Sequence, residues 1–205
     1  GSRECDDRRY PANKIYEGYL AGSYYTSSGG GYNNVCLHEK PTWNEFNDRD
    51  QNGGRMYGTE YHNTGSLDKN NNRDAACVVC GTERRATHTV WGRVTCPYGW
   101  NWVKEYTGYA MSTASGNYKT KTICVDQKRE THKFSSDNDQ DGNALYTTEF
   151  RETVFSGTYA NGADVPCVVC SRRDHGSAPV ATTTTTTAAS HEHDHETSTT
   201  PYPRA

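Results

Sequence analysis

The chain has 205 residues, a formal net charge of −3, eight cysteines and only 32 % hydrophobic residues, with a mean hydropathy of −1.00. It has no run of 18 or more apolar residues, which excludes a membrane-spanning helix. Near-neutral charge without a basic patch argues against nucleic acid as a partner. The aliphatic content falls below the roughly 20 % typical of disorder-prone chains, yet 15 Tyr, 4 Trp and 4 Phe supply large apolar surfaces that carry a polar handle. Burial must therefore lean on aromatics and covalent staples, and the Trp residues, Trp43, Trp100 and Trp102 among them, are expected in the core. Eight Cys in so aliphatic-poor a chain read as a disulfide framework, which places the protein in an oxidising, extracellular compartment.

Taken in chain order, Cys5 is followed by Tyr16-Glu-Gly18-Tyr19, a glycine loop at 28–31, Cys36-Leu37, and an acidic stretch from Asp48 to a glycine turn at 52–54. Gly58-Thr-Glu60-Tyr61, an Asn loop at 70–72 and Cys77-Val-Val-Cys80 come next. Runs at 88–94, 100–106, 120–125 and 145–150 alternate or are rich in β-formers, so they are predicted strands. No stretch has a sustained helical period. The same landmarks then return in the same order: Cys96, Tyr106-Thr-Gly108-Tyr109, Cys124-Val125, Thr147-Thr-Glu149-Phe150 and Cys167-Val-Val-Cys170. A repeat of this kind decides the expected architecture. The expected fold is all-β: two tandem disulfide-stapled antiparallel units, 1–85 and 86–177, related by internal duplication about a pseudo-twofold, followed by an irregular tail at 178–205.

Each unit owns four cysteines. In a strand, residues i and i+3 point to opposite faces, so the two Cys of each Cys-Val-Val-Cys should take different partners. Cys77 and Cys80 are expected to bond Cys5 and Cys36 in one order or the other, and Cys167 and Cys170 to bond Cys96 and Cys124. A thioredoxin-like redox pair would need a helix N-terminus. A zinc site built from the two Cys-x-x-Cys motifs would leave four Cys over.

The tail is Thr, Ser, Ala and Pro with a His-acidic run. Thr182, Thr183, Thr184, Thr185, Thr186 and Thr187, with Thr197, Ser198, Thr199 and Thr200, read as a mucin-like stalk whose hydroxyls could carry O-linked sugars; an unmodified flexible linker is the plainer reading. No Asn-x-Ser/Thr sequon occurs, so N-linked sugar is not expected.

The elements Tyr16-Glu-Gly-Tyr19, Gly29-Gly-Gly-Tyr-Asn33, Val35-Cys-Leu37, Cys77-Val-Val-Cys80, Thr95-Cys-Pro97, Gly99-Trp100, Tyr106-Thr-Gly-Tyr109 and Val165-Pro-Cys-Val-Val-Cys170 resemble the non-collagenous domain of sponge short-chain (spongin-type) collagens and related marine invertebrate secreted proteins. That family is distantly like the duplicated terminal domain of type IV collagen. The resemblance implies an extracellular structural or adhesive role through self-assembly. No Gly-X-Y repeat is present, so a collagen triple helix is not encoded.

Two acidic stretches carry ligand chemistry. Asp48, Asp50 and Asn52 lead to Glu60, and Asp137, Asp139 and Asp141 lead to Glu149, in the pattern of the first half of a calcium loop. Each Glu stands one place late for an EF-hand, and Asn-Gly and Asp-Gly are also ordinary turn chemistry. Ca2+ is the only cofactor this pattern brings forward. His191, His193 and His195 alternate with carboxylates, which suits weak transition-metal binding on a flexible segment. His38, His62, His88 and His132 stand without partners at telling spacing. No nucleophile elbow, phosphate loop or zinc-protease helix is present, so no enzyme is expected. The expected function is an extracellular structural or adhesive protein that assembles with itself into a network or filament. The alternative is a secreted lectin-like protein, calcium-assisted, in which Tyr and Trp surfaces such as Trp43, Trp100, Trp102, Tyr24 and Tyr25, where exposed, would stack on glycans. Glycans and other matrix proteins are the remaining candidate partners.

Overall fold

The computed structural model describes residues 2–5, 13–43, 53–62, 70–82, 84, 86–97, 99, 101–135, 138–151, 158 and 160–172. Residues 1–175 make one compact unit; the tail at 178–205, with its Thr/Ser run and His191, His193 and His195, lies outside the described residues.

The described chain is all-β. Ten strands run in the order β1 (Asn13–Gly22), β2 (Val35–His38), β3 (Tyr57–Tyr61), β4 (Arg73–Asp74), β5 (Ala76–Gly81), β6 (Thr87–Trp91), β7 (Trp102–Ser112), β8 (Ile123–Asp126), β9 (Asn143–Thr147) and β10 (Pro166–Arg172). They form one sheet with the path β2-β1-β3-β9-β7-β10-β6, while β4 pairs with β3, β5 with β1 and β8 with β7. All pairings are antiparallel except that of β3 with β9, where Thr59, Glu60 and Tyr61 stand opposite Asn143, Ala144 and Leu145 in parallel. Two antiparallel units are thus joined through a parallel seam. The main-chain groups that β3 and β9 turn towards each other satisfy one another there, which leaves neither strand with a bare edge at the junction.

The two four-cysteine segments carry the same geometry at matched positions. β1 pairs with β2 and β5, as β7 pairs with β8 and β10. The Tyr16 hydroxyl donates to the Cys36 carbonyl at 3.0 Å, and the Tyr106 hydroxyl donates to the Cys124 carbonyl at 3.0 Å; burial pushes the Tyr106 hydroxyl pKa up to about 12. A Cβ on Gly18 would stand 1.7 Å from the Leu37 carbonyl oxygen, and one on Gly108 would stand 1.7 Å from that of Val125. The Tyr-x-Gly-Tyr element is thus a device for bringing two backbones together, which only glycine permits.

All eight cysteines are bonded: Cys5 to Cys80, Cys36 to Cys77, Cys96 to Cys170 and Cys124 to Cys167. The inner bridge of each segment lies towards the core and the outer one fixes the chain entering that segment. No free thiol remains, so neither a redox dithiol nor a thiolate zinc site exists in this structure.

The core is small. Leu20, Tyr61, Ala75, Cys77, Met111, Val125 and Leu145 form it, with Cys36 and Ile123 packed against it. It draws on both segments, so the seam is also where apolar surface is buried. The expectation that tryptophans fill the core is corrected: Trp43 is 75 % exposed and Trp91 45 %, Trp102 is half-buried, and Trp100 lies outside the described residues. Trp91 sits on β6, at the end of the strand order, and Trp43 in a loop beyond β2. Tyr61, Met111, leucine and disulfide sulfur do the filling instead.

Candidate metal centre and an open strand edge

The seam gathers polar side chains as well as apolar ones. Asn143, fully buried, donates through Nδ2 to the Oδ1 of Asn34 and to the Oγ1 of Thr59, each at 2.7 Å. One strand position further on, alternation turns Glu60 to the other face. Its carboxylate is 3 % exposed and accepts from the Gln140 backbone N–H at 3.1 and 3.3 Å. Burial raises the Glu60 pKa, opposed by that hydrogen bond and by His62. His62 follows β3 directly, anchored by its N–H to the Leu145 carbonyl at 2.9 Å. Its ring stacks on Tyr146 with centroids 5.4 Å apart, and its Nε2 lies 3.4 Å from Glu60 Oε2. Asp139, in the turn before β9, completes a group in which one donor atom each from Glu60, His62 and Asp139 lies within 4.8 Å of the others.

The sequence assigned Glu60 and Asp139 to two separate calcium loops. The structure brings these two together, across the seam, and adds His62. Asp141 adopts a left-handed backbone at φ 50° and its N–H donates to Asp139 Oδ1 at 3.3 Å, so the second acidic stretch forms a local turn. Glu149 is bonded to Arg151 at 2.6 Å and stands opposite Asp164 in a β-bridge. Asp48, Asp50, Asn52 and Asp137 lie outside the described residues. His62 had no signal in the sequence because Asp139, which completes the group, comes from a distant stretch of the chain.

A second feature is an edge. β10 is covered on its outer side by β6, with Val168 opposite Val90 and Cys170 opposite His88. The Gly92 N–H donates to the Pro166 carbonyl at 2.7 Å and the Arg172 N–H to the Ala86 carbonyl at 2.9 Å. Alternation then assigns Pro166, Val168, Cys170 and Arg172 as the residues whose main-chain groups face β6. At the matched edge of β5, on the side away from β1, the Ala76 N–H meets the Glu130 carbonyl at 3.4 Å, and beyond it no described strand other than β1 pairs with Val78 to Gly81. Burial differs accordingly: Val168 and Cys170 are fully buried, whereas Val78 is half-buried and Cys80 exposed. The β5 edge borders a cavity of about 440 Å³ lined by Val78, Cys80 and Thr82, by Tyr106, Cys124 and Lys128, and by the N-terminal segment at Ser2, Glu4 and Cys5. No helix among the described residues is long and apolar enough to cross a membrane.

Comparison with known protein families, with curated proteins and with solved structures gives no match to this chain.

Proposed function

We propose that the chain is an extracellular structural protein that assembles with itself by strand addition, residues 177–181 of one copy pairing with the β5 edge of the next. The observation that carries this reading is the unequal state of two matched edges among the described residues: β10 is covered by β6, whereas no described strand lies on the edge of β5 away from β1. β6 starts at Thr87, seven residues after Cys80. The residue seven places after Cys170 is Ser177, and Ser-Ala-Pro-Val-Ala follows from there. Laid on β5 in the register of β6 on β10, Val180 stands opposite Val78 and Ala178 opposite Cys80. Pro179 takes the place of Thr89, whose N–H points away from the covered strand, and that is where an added edge strand tolerates proline. Main-chain pairing of this kind is a general mode of assembly between chains.

Four disulfides in a small β unit support an oxidising, extracellular setting. The matched geometry of the two segments supports an origin by duplication, and the resemblance to the non-collagenous domain of sponge short-chain collagens supports a matrix role. In the same reading the Thr run at 182–187 emerges from the junction between copies as an O-glycosylated spacer. Sedimentation velocity and electron microscopy over a range of concentrations test the proposal. The full chain is expected to form concentration-dependent particles, and Val180→Pro, which removes the N–H facing Val78, to remain monomeric. Thr187→Pro, outside the paired segment, should assemble like the parent. A wild-type chain that stays monomeric, or a Val180→Pro variant that assembles normally, contradicts it.

A further inference from the structure

We propose that Glu60, His62 and Asp139 form a site for a divalent transition-metal ion of the zinc class, one carboxylate oxygen from each acid and Nε2 of the imidazole acting as ligands. The inference stands apart from strand addition, since it uses no residue of the β5 edge. Its first support is the imidazole. His62 Nε2 is buried and has no hydrogen-bond partner, its nearest acidic neighbour being Glu60 Oε2 at 3.4 Å. A ring nitrogen sealed from water and left unsatisfied is costly, and a metal ion bound through its lone pair removes that cost.

Geometry is the second support. A tetrahedral ion with ligand bonds of about 2.0–2.1 Å holds its donor atoms about 3.3–3.4 Å apart. The His62–Glu60 pair already has that spacing. The third donor lies within 4.8 Å of both, and Asp139 is an exposed side chain that closes the remaining gap by a rotamer change. Exposure on the Asp139 side also supplies the entry path and leaves the fourth position to water.

Outer contacts orient the ligands as metal sites require. The Gln140 N–H holds the Glu60 carboxylate through both oxygens, and Tyr146 fixes the plane of the His62 ring. The donor set selects the ion. Calcium takes six to eight oxygens, whereas two carboxylates and an imidazole suit zinc and its neighbours. Because Glu60 lies in β3, His62 directly follows it and Asp139 precedes β9, a bound ion would tie the two segments together across their parallel seam.

The test uses the full chain carrying His191→Gln, His193→Gln and His195→Gln, which removes the tail imidazoles as competing ligands. After chelation and dialysis, Zn2+ and Ca2+ are titrated separately by calorimetry, and Co2+ is added as a spectroscopic probe. The expected result is one Zn2+ per chain, visible absorption bands of four-coordinate Co2+, and a melting temperature raised by roughly 5–10 °C at a hundredfold excess over Kd. His62→Gln in this background should weaken zinc binding at least 100-fold. Asp139→Asn, an exposed change that should leave the metal-free melting temperature in place, should weaken it at least tenfold. No zinc binding in the tail variant, preference for Ca2+ over Zn2+, or unchanged zinc affinity in Asp139→Asn overturns the proposal.

Discussion

Gly18→Ala puts the close approach of β1 and β2 to a quantitative test. The added Cβ would lie 1.7 Å from the Leu37 carbonyl oxygen and 2.8 Å from its carbon, both backbone atoms that no rotamer change can move. A carbon and an oxygen rest at about 3.3 Å or more, so β2 must retreat by roughly 1.5 Å, which a hydrogen bond of ordinary length does not survive. The pairing from Gly18 with His38 to Ala21 with Val35 and the Tyr16–Cys36 bond are then lost or lengthened. Two or three bonds at about 1 kcal/mol each, with overpacking of about 1–3 kcal/mol, come to roughly 4 kcal/mol. At about 2–4 °C per kcal/mol, the melting temperature should fall by roughly 10 °C. Scanning calorimetry of the oxidised protein measures it. Gly108→Ala should behave alike, since its Cβ meets the Val125 carbonyl at the same 1.7 Å. Gly58→Ala, with nothing within 4 Å, should stay within about 0.5 kcal/mol of the parent. A Gly18→Ala protein that melts within about 2 °C of the parent would refute the close-approach reasoning.

Two further outcomes follow from the core and its border. Replacing Cys36 and Cys77 together by Ala opens a loop of sequence separation 41, for which chain entropy alone gives about 4 kcal/mol; denaturant unfolding should show that loss or more, because Cys77 is also a core side chain. His132 is 5 % exposed, stacks on Tyr19 at 4.0 Å, and accepts from the Phe134 N–H through Nδ1 at 3.3 Å. Burial lowers its pKa from 6.5, with Glu39 acting in the opposite sense. The unfolded state therefore binds more protons below that value, so stability is lost as pH falls below about 6.5. His132→Gln should flatten the fall in melting temperature between pH 7 and pH 5, and an unchanged slope would contradict the assignment.

Much of the framework was legible because covalent chemistry and close backbone approach leave local marks. Four cysteines per segment, with Cys-Val-Val-Cys on a β-branched strand, imply a separate partner for each sulfur, and each has one. Strand ends were less legible. The run at 88–94 stops at Trp91 because Gly92 turns with φ +76°, and 100–106 extends to Ser112 because β7 continues past its glycine to reach β9. Nothing local marks the parallel seam, since the register of Tyr61 with Leu145 is set by packing across more than 80 residues. The grouping of Glu60, His62 and Asp139 was hidden for the same reason. Glu60 and Asp139 each look like part of a nearby acidic loop, and His62 looks solitary. Trp43 and Trp91 misled because size and apolarity do not say whether a second layer will cover a residue.

The central claim is that the β5 edge, which no described strand covers on the side away from β1, receives a strand from a second copy, and a density map of the assembled particle tests it most directly. The map should show a five-residue antiparallel strand on β5, with Val180 opposite Val78 and its chain running back to Arg172 of a neighbouring copy. An assembled particle with β5 bare, or with that strand traced to its own chain, would contradict the account.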